Sequence, residues 1–288
     1  MLINLITGWQ WPGERPVSYG WYHLMWVGIM IVATILLVKF VATKHDKRKD
    51  NIVIFSFGLF LVLIETYKQI FYFLDAGYYQ WHAFPFQFCS VPMLVAFIAP
   101  LLKEGKVKEA LYKFIAFFGL LAGLAVMTYP GNCFGTDYVV ILIHTMIWHS
   151  SMVIMGVYLL VSRGYGKNYI KDIIPGFIVF AIIVAIAFIG NIVGYKLYFS
   201  NPELNVHGQS LNMFYISPYD TCSLPILSVI QTKVPYVVFF MCYLLAFLIG
   251  ISILWSAARG VSAIKAAIVN AKQKAKDKEM VDNIEKAE

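Results

Sequence analysis

Residues 52–74 read IVIFSFGLFLVLIETYKQIFYFL. As a helix this nearly unbroken apolar run is long enough to cross a hydrocarbon core about 30 Å thick, and Glu65 and Lys68 lie inside it. An ionisable side chain at such a depth costs at least ~2.5 kcal/mol, so it faces a bundle interior, finds a partner, or lines a path for substrate. The stretch therefore predicts both a membrane span and a place to look for function.

Six further apolar stretches surround it, at Trp21–Ala42, Pro85–Leu102, Ala110–Met127, Tyr138–Ser162, Ile173–Tyr195 and Val234–Ala257. The chain has 288 residues, of which 60% are hydrophobic and only 14% charged, a balance that excludes an ordinary soluble domain. The expected fold is all-α: a polytopic membrane bundle of seven transmembrane helices.

The net charge of +7 raises the question of nucleic acid, but the basic residues alternate by side. Lys44, Lys47, Arg48 and Lys49 follow the first stretch, Lys103, Lys106 and Lys108 the third, and Arg163, Lys167 and Lys171 the fifth. The opposite connections are almost bare of them. Lys and Arg collect on cytoplasmic loops, which places the amino terminus outside and the carboxy terminus inside. The positive charge thus reports membrane orientation, and no nucleic-acid partner is expected. A multi-pass protein of a plasma membrane follows.

Three regions are expected. Residues 1–20 form an extracytoplasmic segment without the pattern of a cleaved signal peptide, and its Trp9 and Trp11 suit the outer interface. Residues 21–257 form the transmembrane domain, and residues 258–288 a basic cytoplasmic helical tail whose lysines suit anionic lipid. Within the domain the outer connection at 196–233 is unusually long, and its part around Met213-Phe-Tyr-Ile-Ser-Pro218 is too aromatic for a solvated loop. It is expected to fold back over the outer mouth of the bundle.

Helical rise converts position into depth. Glu65 and Lys68 fall about 13 and 9 Å below the outer boundary, Gln87 and Cys89 within about 6 Å, and His144 and His149 at about 9 and 16 Å. Asn191 also lies near the outer end of its span, and Asn212 in the connection above. Glu65 and Lys68 are three apart and share a face, so they either neutralise each other or serve a site in which Lys68 holds an anionic headgroup and Glu65 orients a histidine. His144 and His149 are five apart, rotated by about 140°, and are not expected to point squarely into one site. That spacing suits no metal, and no cofactor is implied. Cys133 and Cys222 are both outside and open to a disulfide. Cys89 occupies the first turn of a helix, where the dipole favours a thiolate.

The segments Pro85-Phe-Gln-Phe-Cys-Ser90, His144 to His149, Asn212 and Ser223-Leu-Pro-Ile226 resemble the YwaF-type family of bacterial integral membrane proteins. The eukaryotic relatives of that family are transmembrane acyltransferases acting on ether phospholipids, with a membrane cysteine and histidine. The resemblance implies Cys89 as acyl-accepting nucleophile and His149 as its base, with membrane phospholipids as partners and a bacterial plasma membrane as location. The bacterial members commonly carry a histidine two residues before the cysteine, where this chain has Gln87. On this reading Lys68 holds a lipid phosphate, Glu65 neutralises or orients, and Asn191 or Asn212 donates to an oxyanion; His144 and Gln87 complete the candidate set.

Two other classes compete. A small-molecule or proton-coupled transporter needs polar groups through both leaflets, and the inner halves of the spans hold few of them. A non-catalytic membrane protein fits the composition equally, whereas a retinal pigment lacks a lysine in the last span.

Overall fold

The computed structural model describes residues 8–42 and 46–285. Residues 1–7 and Lys44 lie outside the described residues, as do the tail side chains from Ile264 onward, on which the expected lipid contact depends. The chain forms α1 (Trp21–Phe40), α2 (Lys47–Ala76) and α3 (Val91–Ile98), which a tighter turn prolongs to Leu101. Then come α4 (Lys106–Thr128), α5 (Val139–Ser162), α6 (Tyr169–Phe199), the short α7 (Leu227–Gln231) and α8 (Tyr236–Glu285). Six of these are long and apolar enough to cross a membrane, and α3 is a shorter apolar helix.

Polar caps start two of the long helices where the apolar runs begin. Asp46 accepts from the backbone of Arg48 at 2.9 Å to open α2, and Asn168 accepts from Lys171 at 3.0 Å to open α6. Each satisfies amide groups that the first turn leaves bare.

The third crossing departs from expectation. Pro85–Leu102 reads as one helix, but only Val91–Leu101 is helical, a length of about 16 Å. The outer half of the passage, residues 77–90, is loop interrupted by a single tight helical turn at Trp81–Ala83. Gln69 of α2 donates to the carbonyl of Ala83 at 2.6 Å, which sets Ala83 about 10 Å below the outer end of α2. Non-helical backbone at that depth is tolerated only where protein or a cavity surrounds it.

Helix α5 is the axis of the bundle. It buries 67% of its apolar window, against 11% for α1 and 22% for the membrane part of α8, which spread their side chains toward lipid. Helices α1, α2 and α4 all pack on it, and α2 in turn carries α3. Without a hydrophobic force between helices in lipid, close approach supplies the attraction, and small residues make it available. A Cβ on Gly58 would run into the backbone of Ala96 and Phe97, and one on Gly123 would lie 2.8 Å from the carbonyl of His149.

The two ends of the bundle are chemically distinct. At one end Arg163 meets Asp50 at 2.6 Å and Glu109 at 2.7 Å, and Lys108 meets Glu104 at 2.8 Å. The basic connections inferred to be cytoplasmic thus gather on one side. At the other end Tyr138 donates to Asp75 at 2.6 Å, Arg15 pairs with Asp137 at 2.5 Å, and the chain around Gln10 bridges to Tyr138.

Candidate functional site

The irregular half of the third crossing, α2 and α5 enclose a cavity of about 210 Å³ in the outer half of the bundle. Lys68, Gln87, Cys89, His144 and His149 all line it. The expected divergence of the two histidines is corrected. Thr145 and Trp148 line the middle of the cavity wall on α5, and a cavity this broad takes in His144 and His149 on either flank of that face.

His149 is buried, and its Nδ1 lies 2.8 Å from the carbonyl oxygen of Thr145 one turn earlier. A carbonyl only accepts, so Nδ1 carries the proton and Nε2 is left as the basic nitrogen. Cys89 is a free thiol on the turn that leads into α3. Its backbone carbonyl accepts from the Trp148 indole at 2.8 Å, which ties the thiol-bearing turn to the same stretch of α5 that carries both histidines. His144 stacks on Trp148 with centroids 4.9 Å apart.

Glu65 stands behind this wall. Its carboxylate contacts Lys68 at 2.8 Å, accepts from Gln69 at 2.7 Å and lies 3.5 Å from Nε2 of His144. The intramembrane pair is therefore real, and Glu65 touches a histidine as well. Lys68 lines the cavity, and its ammonium lies 5.9 Å from the Trp148 ring centroid. Among the lining residues not singled out from the sequence are three with polar rings: Tyr72, His82 and Trp148. Trp148 and Tyr72 were readable as aromatic residues four positions from His144 and Lys68. His82 had no such signal, because only the descent of residues 77–90 carries it inward.

Three candidate residues hold the outer connection, and of these Gln87 also lines the cavity. Gln87 donates to the carbonyl of Asn212 at 3.2 Å and accepts from the amide of Phe214 at 2.9 Å. Asn191 brackets Met213, donating to its carbonyl at 3.0 Å and accepting from its amide at 2.8 Å. Asn212 spends its side chain on the amide of Ser217 and the carbonyl of Thr221. Both asparagines thus hold a strap, residues 200–226, and neither is among the residues lining the cavity. The strap does fold back over the bundle: Phe214 is fully buried among Phe86, Phe88 and Phe180. Replacing Gln87 by Leu removes both of its anchors at once and should weaken docking by about 1–3 kcal/mol. The check is limited proteolysis from the outer side, where Gln87→Leu is expected to be cut within residues 212–226 faster than the parent chain.

Cys133 and Cys222 remain free thiols. Burial pushes the Cys133 thiol up to about 11, so it is sluggish as a nucleophile. The inner ends of the helices are also less bare than the sequence suggests. Asp50, Lys108 and Asp172 are all buried there, with Arg163 bridging Asp50, Glu104 and Glu109. These charges answer one another: Asp172 accepts three backbone amides of residues 166–168, and Tyr158 donates to Asp50 at 2.9 Å. The Lys108 ammonium beside Glu104 holds its carboxyl below the usual carboxylate range.

A bundle of membrane-crossing helices that carries a thiol, three histidines and a lysine around one cavity defines a polytopic membrane protein with a polar site in its outer half. The chain matches the model of the TMEM164 family over residues 18–255, and it belongs to that family. No match to the chain was found among curated proteins or among solved structures.

Proposed function

We propose that the protein is a membrane-lipid acyltransferase that works through a thioester on Cys89, with hydrolysis as the same reaction when water is the acceptor. The observation that carries this reading is the meeting of Cys89, His149 and Lys68 around one outer-leaflet cavity. The resemblance to YwaF-type proteins and their acyltransferase relatives supports this reading, together with a location in a bacterial plasma membrane.

The chemistry follows from the groups present. Nε2 of His149 takes the thiol proton, and the Cys89 sulfur attacks the ester carbonyl of a phospholipid. The carbon–oxygen ester bond breaks, and the departing lysolipid oxygen takes the proton back from His149. The acyl group is then a thioester, which an acceptor hydroxyl attacks as His149 removes its proton. The carbon–sulfur bond breaks, and the sulfur recovers the proton. Lys68 offers a charge-assisted contact to the lipid phosphate, while Glu65 keeps that ammonium and His144 in place.

The decisive experiment incubates the purified protein with phospholipid carrying a labelled acyl chain. A hydroxylamine-labile label on Cys89 is expected, and none on Cys89→Ala. Equal labelling of Cys89→Ala overturns the thioester reading.

A further inference from the structure

A second, larger cavity takes no part in the steps above. It spans about 750 Å³, inside the range of small-molecule sites, and lies between the α4–α5 connection, α5 and the strap. It shares Tyr72, Ile141 and Thr145 with the Cys89 cavity, so the two adjoin through a common wall.

The linings differ in chemistry. Six side chains of the larger cavity bear a hydroxyl or thiol, namely Tyr72, Cys133, Thr136, Thr145, Tyr215 and Ser223, and among the described residues no charged one lines it. A phosphate entering there would lose its hydration without a cation to replace it. An alcohol would find donors and acceptors of its own kind. Lys68 lines the smaller cavity only, which suits an anionic group.

The backbone around the larger cavity is held in costly conformations. Phe214 and Tyr215 both have φ of 58°, and Ile226 has φ of 67°. A β-branched residue rarely enters that region, and each instance costs about 1–3 kcal/mol unless surrounding structure enforces it. The enforcement is visible: Gln87 and Asn191 grip residues 213 and 214, and Gln231 accepts from the amide of Cys222 at 2.6 Å and donates to the carbonyl of Asp220 at 3.1 Å. The strain presents Tyr215 and Ser223 to the cavity.

We propose that this outer cavity binds the acyl acceptor by its uncharged glycerol hydroxyls, separately from the donor phosphate at Lys68. The inference rests on the acyl-transfer reading. The acceptor hydroxyl gives its proton to Nε2 of His149, its oxygen bonds to the thioester carbon, the carbon–sulfur bond breaks, and the Cys89 sulfur regains the proton from His149.

The test uses Cys133 as a reporter in the full-length protein. Its modification by a maleimide in mildly alkaline detergent solution is followed by peptide mass spectrometry, with and without 1-monoacylglycerol. Monoacylglycerol is expected to slow Cys133 modification about fivefold or more, as occupancy at a site above its dissociation constant requires. Ser223→Phe, which fills the cavity, should abolish that protection and lower transfer to monoacylglycerol about tenfold, while labelled donor still acylates Cys89 at the parent rate. Cys133 modification indifferent to monoacylglycerol overturns the site, and equal protection by lysophosphatidic acid overturns its uncharged character. Protection of Cys133 without any acyl label on Cys89 supports the alcohol site and defeats the catalytic reading instead. Thr136→Val, which removes a hydroxyl at nearly constant volume, is expected to weaken protection without disturbing the fold.

Discussion

Replacing His149 by alanine should lower acyl transfer by about 10²–10⁴, the usual worth of a positioned general base. Adding Cys89→Ala should cost no more than Cys89→Ala alone, because groups that act as one unit fail together. The informative variant is His149→Gln. A glutamine amide can still donate to the Thr145 carbonyl that Nδ1 now meets at 2.8 Å, but it has no basic nitrogen. A packing role for His149 predicts that glutamine restores activity. A proton-transfer role predicts that it does not, and that the thioester on Cys89 fails to form. Rates of labelled acyl release and of Cys89 labelling, measured on both variants, separate the two, and near-parent activity in His149→Gln would remove the histidine from the mechanism.

The second large effect is on stability and comes from the opposite end of the bundle. Arg163 is the shared partner of Asp50, Glu104 and Glu109. Its replacement by methionine leaves Asp50, 2% exposed, without its cation and, among the described residues, with the Tyr158 hydroxyl as its side-chain hydrogen-bond donor. Stripping one partner from a buried ion pair costs about 3–5 kcal/mol, which is a large share of the 5–15 kcal/mol that holds a typical domain together. Arg163→Met should therefore unfold at a markedly lower temperature in detergent micelles. Replacing Asp50 as well removes the stranded charge, so Asp50→Leu combined with Arg163→Met is expected to be more stable than Arg163→Met alone. Equal melting of the single and double variants would show that burial of the lone carboxylate is not the cause.

Much of the architecture was readable from composition. Each lysine-rich connection follows an apolar run of spanning length, and the structure collects Asp50, Glu104 and Arg163 at one end as that alternation requires. The third crossing was not readable, because apolar content does not specify backbone geometry. What stabilises residues 77–90 are side chains remote in sequence: Gln69 to Ala83, and Gln209 accepting from the amide of Trp81 while donating to Tyr79. The candidate site was half legible. Depth bookkeeping predicts that Lys68, Cys89, His144 and His149 converge on the outer leaflet, and it says nothing about which amide groups a strap will engage. Gln87, Asn191 and Asn212 look like ligand donors for that reason, and only the position of Met213 and Phe214 reveals what they hold.

The half-length α3 carries a consequence for how the molecule is made. Eleven apolar residues are too few to partition into a bilayer alone, so α3 has to enter as a hairpin with α2, drawn in by the Gly58 contact and by the bond from Gln69 to Ala83. Gln209 and the strap emerge from the ribosome well after α2, α3 and α5. Until they arrive, the amide of Trp81 and the carbonyl of Tyr79 lack the partner they have in the finished protein. The wall around Cys89 is thus completed late in biosynthesis, and a chain interrupted before residue 209 would hold the spans in place with an unfinished cavity.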